Sequence, residues 1–179
     1  MFNDMLDWGQ AGETAIARWL RSRGNYVLPV YEKVIDSGKG PRLFAPGNGR
    51  IVAPDLFVYK TKDAIWVEAK RKTAFSWHRK TQKWVTGIDL HHYNEYCKID
   101  DAGPFPVWLL FLHEGGQAKD SPPNSPAGLF GNRLNALRRC ENHRHKNWGK
   151  TGMVYWSVDS LILMARLDEL RGQLNRTSS

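Results

Sequence analysis

Hydrophobic and polar positions along the chain predict an alternation of helices and strands. Between Gly12 and Arg23, Ile16, Trp19 and Leu20 recur at helical spacing with Ala15 beside them, and Gly24 supplies a stop. Residues 25–32 read as a strand, and Pro29 within it points to a sheet edge. Two runs rich in β-branched and aromatic residues, 55–59 and 64–67, flank the polar turn Thr61-Lys62-Asp63 and predict a β-hairpin. Asp89 is placed to cap a helix running to about Ile99, with Leu90, Tyr93 and Cys97 as its buried stripe. The apolar run Pro106–Leu112 reads as a buried strand. Residues 153–158 predict one further strand, and 160–170 a closing helix with Leu161, Met164 and Leu167 inward. Gly- and Pro-rich segments at 36–50 and 114–131 read as long loops, the second as a flap or insertion, and 172–179 as a frayed tail.

The hairpin carries the chemistry. Side chains on a strand alternate faces, so Trp66, Glu68 and Lys70 share one face and Val67 and Ala69 the other. An even turn brings Asp55 opposite Glu68 or Lys70; an odd turn without a bulge puts it on the wrong side. The even pairing gathers Asp55, Glu68 and Lys70 at the end of the hairpin. Two carboxylates about 4 Å apart repel by roughly 4 kcal/mol at an effective dielectric near 20, and a hard divalent cation offsets that cost. Asp55, Glu68 and the backbone carbonyl of Ala69 are candidate ligands. Such a metal polarises a phosphoryl oxygen and acidifies a water, and Lys70 is placed to orient that water or stabilise phosphoryl charge. The alternative is a solvated hairpin with surface charges.

At 179 residues the chain is long enough for one domain with a proper core and hardly for two. Its formal charge of +8 indicates an anionic partner, and that charge is clustered. Within residues 60–84, eight Lys or Arg oppose Asp63 and Glu68, a net of +6, while residues 131–151 carry +5. Basic residues of 72–84 interleave with Phe75, Trp77 and Trp84, the composition of a surface that meets phosphates and stacks on bases. Arg71, Lys72, Arg79 and Lys80 follow directly from the hairpin. The alternative is an amphipathic edge whose tryptophans are core.

Cys97 and Cys140, the two cysteines, do not make a disulfide framework, and the expected compartment is reducing, intracellular and cytoplasmic. No apolar run approaches membrane-spanning length, and residues 1–10 lack a signal-peptide pattern. Cys140, His143 and His145 invite a zinc reading but lack a well-placed fourth ligand.

Pro54-Asp55, twelve residues, then Glu68-Ala69-Lys70 resembles the signature of the PD-(D/E)XK nuclease superfamily, which includes type II restriction enzymes, archaeal-type Holliday-junction resolvases and many phage nucleases. The resemblance covers roughly residues 10–113. It implies an α/β fold of the restriction-endonuclease-like type, an αβββαβ core with a mixed central sheet flanked by helices, in one domain. It implies a Mg²⁺-dependent deoxyribonuclease, with Mn²⁺ as a substitute, whose partner is DNA. Without room for a target-recognition domain, structure-selective cleavage of branched DNA is expected, by a homodimer. The resemblance also assigns Glu13, on the opening helix, to the metal with Asp55 and Glu68; Glu32 is a rival, and a favourable acid at the helix start is the plain alternative. It places Lys39 and Arg42 near flanking phosphates; a plain exposed connector is the alternative. Families of this type set a polar residue, commonly glutamine, beside the metal from the following helix; His92 and Tyr93 stand there instead, a departure from the pattern. A silent nucleic-acid-binding protein on the same fold, or a nuclease acting on RNA or on DNA ends, are the alternatives.

Overall fold

A computed structural model describes residues 2–30, 42–46, 49–148 and 151–174. Glu32 and Lys39 lie outside these residues. The chain opens with α1 (Phe2–Ser22), which begins ten residues before the start expected at Gly12. Ala15, Ile16, Trp19 and Leu20 form its buried face, and Gly24 closes it at φ +82°, a left-handed position suited to glycine.

A six-stranded sheet is built from β1 (Tyr26–Pro29), β4 (Leu56–Lys60), β5 (Asp63–Lys72), β8 (Val107–His113), β9 (Gly128–Arg133) and β12 (Ile162–Ala165), in the order β1-β4-β5-β8-β9-β12. β1 is an edge strand, as Pro29 predicts. Only β5 and β8 run parallel; the other pairings are antiparallel, so the sheet is mixed. A parallel pair requires a crossover. Here it carries β6 (Ser76–His78), β7 (Lys83–Asp89) and α2 (Leu90–Ala102).

The expected αβββαβ core is therefore α1, β1, β4, β5, α2 and β8. Asp89 does cap α2, its carboxylate accepting the N–H of His91 at 2.8 Å.

α1 packs on the sheet face that holds Leu56, Val58, Val67, Ala69, Leu110 and Leu112. α2 covers the opposite face with Tyr96 and Ile99 against Val107, Leu109 and Phe111. A second, antiparallel sheet, β10 (His143–His145), β11 (Met153–Ser157), β7 and β6, extends from that side.

Several expectations are corrected. Residues 42–52, read in part as loop, form a hairpin of β2 (Arg42–Ala45) and β3 (Gly49–Val52). The loop expected over 114–131 ends at β9, where Leu129 and Phe130 are buried between neighbouring strands. The helix expected over 160–170 is split: β12 pairs with β9, and α4 (Leu167–Leu174) follows. Edge pairing to β9 overrides the helical spacing of Leu161, Met164 and Leu167. Gly172, expected to begin a frayed tail, belongs to α4. Between β9 and β10, α3 (Leu134–Arg138) inserts Leu134 and Leu137 into the α2 side of the core.

Candidate active site

The β4–β5 hairpin turns through two residues, Thr61 and Lys62, because Lys60 pairs with Asp63. Thr61 takes the left-handed conformation at φ +56° that such a tight turn requires. This is the even turn. The register continues to Leu56 opposite Val67, which brings Asp55 beside Glu68.

Oδ2 of Asp55 accepts the backbone N–H of Ala69 at 3.0 Å. The Lys70 ammonium lies 3.8 Å from the same oxygen and in ion-pair contact with Oε1 of Glu68. Glu68 is only 1% exposed, and neither of its carboxylate oxygens receives a well-formed hydrogen bond among the described residues. A buried carboxylate held by one ion pair, with hydrogen-bonding capacity unused, is a high-energy arrangement.

The surroundings reinforce that reading. Burial first, then the Glu68 charge, pushes Asp55 up to about 7 despite Lys70 and the Ala69 hydrogen bond. Burial and then Asp55 likewise raise Glu13 on α1 to about 7, so Glu13 and Asp55 share one electrostatic site. Burial opposes the charge on Lys70, but Glu68 first and Asp55 second outweigh it and hold its pKa above the usual lysine range. α2 closes the site from the other side. Tyr96 is pushed up by burial and then by Glu68, and His92 is pushed down by burial and then by Lys70.

As they stand, no three His, Cys, Asp or Glu side chains among the described residues are arrayed as a ready ligand group; Lys70 lies between Asp55 and Glu68. The donor set nonetheless suits a hard cation. It consists of carboxylate oxygens, those of Glu68 buried with no well-formed hydrogen bond among the described residues, in a site where burial and then mutual repulsion raise two pKa values.

Alternation along β5 separates the other expected site residues. Lys72 shares the face of Glu68 and Lys70, and burial and then Lys70 lower its pKa. Arg71 points to the α1 face, where its Nε donates to Oε1 of Glu114 at 2.6 Å. Arg71 is packed there, on the face of β5 opposite Glu68 and Lys70. Tyr93, as its place in the stripe of α2 predicts, is buried against Trp156, with its hydroxyl bonded to Glu141. Phe75 is likewise core, stacked on His113 at 3.6 Å. His92 remains at the site. Arg79 and Lys80 are exposed in the β6–β7 turn, Trp77 is half-buried against Trp84, and Arg42 stands at the start of β2.

Tyr96 is the site residue that the sequence reading misses. Its signal was available: Tyr96 follows His92 by four residues, on one face of the helix capped by Asp89.

No protein-family model and no curated protein matches the chain. Among solved structures, the chain is similar to Hjc, a Holliday junction resolvase from the archaeal hyperthermophile Archaeoglobus fulgidus. The TM-score is 0.51 at 8% sequence identity, over 90% of this chain and 98% of Hjc. The two share a fold. A second structure, the nuclease D212 from a fusselovirus, aligns over 89% of this chain and 83% of its own length at 15% identity, with a TM-score of 0.38.

Proposed function

We propose that the chain is a metal-dependent nuclease that hydrolyses DNA phosphodiester bonds. The observation that carries the reading is Glu68, buried, paired with Lys70 and gathered with Asp55 by the hairpin register. Glu13, Asp55, Glu68 and the carbonyl of Ala69 would hold Mg²⁺, or Mn²⁺ in its place. Bound there, the ion supplies Lewis acidity toward a phosphoryl oxygen. Lys70, kept charged by Glu68 and Asp55, stabilises negative charge that develops on the phosphate. Tyr96 holds the Glu68 side of the site, and His92 borders Lys70.

Arg79, Lys80 and the net charge of +8 bring DNA to this surface. Hjc is a junction resolvase by name, and the shared fold supports branched DNA as the substrate. A four-way junction presents two strands for cutting, and one site per chain then calls for a two-fold homodimer.

A substrate panel tests this reading. Labelled four-way junction, linear duplex and single strand are incubated with protein in Mg²⁺, in Mn²⁺ and in chelator. Cutting that needs metal and favours the junction supports the proposal; an absence of cutting with every substrate and metal overturns it. The placement of Lys70 between the two carboxylates favours one second reading, a nucleic-acid-binding protein with a silent site. That reading gives salt-sensitive binding without cleavage.

A further inference from the structure

The second sheet carries a groove whose aromatic rings the catalytic reading does not use. A cavity of about 840 Å³ lies over β6, β7, β10 and β11 and reaches Lys72 at the end of β5. One wall is a stack of rings. His78 and His143 lie 3.8 Å apart at 9°, and His143 stacks in turn on Tyr155 at 4.5 Å and 4°. Pairing of β10 with β11 sets His143 opposite Tyr155. Trp148, also lining the groove, is 64% exposed, with the ring of His145 set edgewise 5.2 Å away.

The charge is complementary to an anion. Arg79, Lys80 and Lys119 line the groove with Asp120 as its acidic member. Arg144 lines it as well, but its guanidinium is held by Glu141 at 2.7 and 2.9 Å. Cations beside aromatic faces match a ligand that is charged along one edge and planar along the other, which describes nucleotides with bases unpaired. Paired bases hide their faces in the duplex, and an acidic peptide would use the cations but not the rings.

We propose that this groove binds an unpaired nucleic-acid strand. Trp148 and His78 stack on bases, His143 and Tyr155 back the His78 ring, and Arg79, Lys80 and Lys119 meet phosphates. Lys72 links the groove to the carboxylates. It follows Lys70 on the same face of β5, displaced by roughly 6–7 Å along the strand. A strand leaving the groove at Lys72 therefore passes Lys70 and Glu68. The route to cleavage rests on the nuclease reading, whereas binding in the groove does not. The substrate class this implies is branched or flapped nucleic acid with an unpaired arm.

Fluorescence anisotropy in chelator tests the groove apart from cleavage. The probes are labelled oligothymidylate and oligouridylate of about 16 nucleotides and a blunt DNA duplex. The wild type and Glu68→Ala should bind at least one single strand more tightly than the duplex, and the tighter of the two identifies DNA or RNA. Trp148→Ala and His78→Ala should each weaken single-strand binding by about 5- to 150-fold, the range of one lost stacking contact. Duplex binding should change less than about twofold, and Trp148→Phe should retain most of the affinity. Both side chains border solvent, and circular dichroism confirms that the variants fold. Single-strand binding no tighter than duplex binding, or unaffected by both alanine variants, overturns the proposal.

Discussion

Asp55 accepts the backbone N–H of Ala69 at 3.0 Å, from the neighbouring strand. This bond ties the start of β4 to the middle of β5 and fixes the Asp55 carboxylate beside Glu68. The two-residue turn makes it possible, since one residue more or fewer would reverse the faces. Asp55→Ala should therefore lose about 1–3 kcal/mol of stability along with activity, whereas Asp55→Asn keeps an acceptor for the Ala69 N–H. Chemical denaturation separates the two: Asn should lose activity with stability largely retained.

Lys70 is the ion-pair partner of the buried Glu68 carboxylate. Lys70→Met should cost about 3 kcal/mol, because it strands a buried charge. Adding Glu68→Gln removes that charge, and the double variant should recover much of the loss. Urea midpoints at neutral pH check the cycle. All three variants should be inactive.

The raised carboxylates predict a pH dependence of opposite sign to the usual one. Asp55 and Glu13 hold their protons up to about 7 in the folded, metal-free protein but lose them near 4 when unfolded. Between those values the folded state binds more protons, so stability falls as pH rises from about 4 to 7. Asp55→Asn should flatten the fall in thermal midpoint measured in chelator. Activity should rise through the same window, as the carboxylates become free to hold metal.

Gly12 sits where α1 crosses β5, and a Cβ there would meet the Cβ of Arg71 well inside contact distance. That approach seats Glu13, the next residue, near Asp55. Gly12→Val should lift α1 and cost about 1–3 kcal/mol. Activity should fall further than stability explains, as measured by cleavage rate at a temperature where the variant stays folded.

Tyr93 and the β6–β7 turn predict contrasting effects on DNA binding. Tyr93→Phe should leave DNA affinity unchanged while lowering stability by about 1 kcal/mol through the lost Glu141 bond. Arg79→Ala with Lys80→Ala should weaken binding and reduce the salt slope by about 0.9 per phosphate contact removed. Affinity measured across a salt series in chelator distinguishes the two surfaces.

The fold was legible where local pattern and tertiary need agreed. The α1 stripe, the β4–β5 hairpin, the Asp89 cap and the continuous apolar β8 all lie in the order read from the chain. Reading failed where partners distant in sequence decide the structure. β12 is a strand because β9 lies beside it, not because of its own spacing, and Ile162 and Leu163 remain exposed at the sheet edge. The 72–84 segment was read as surface by composition, yet Phe75 is core because the strands on either side carry it over His113. At the site, period-two alternation placed Glu68 and Lys70 together, and the same alternation applied one residue further removes Arg71 from their face. Tyr96 joins the site and Tyr93 does not because α2 turns its 92/96 face toward Lys70 and Glu68.

Cleavage of a labelled four-way junction by the wild type and by Glu68→Ala, in Mg²⁺ and in chelator, tests the central claim most directly. Metal-dependent cutting by the wild type, lowered at least about 10²–10³-fold in the variant, is the predicted result. Equal cutting by both proteins, or binding without cutting by the wild type in Mg²⁺ and Mn²⁺ alike, would contradict it.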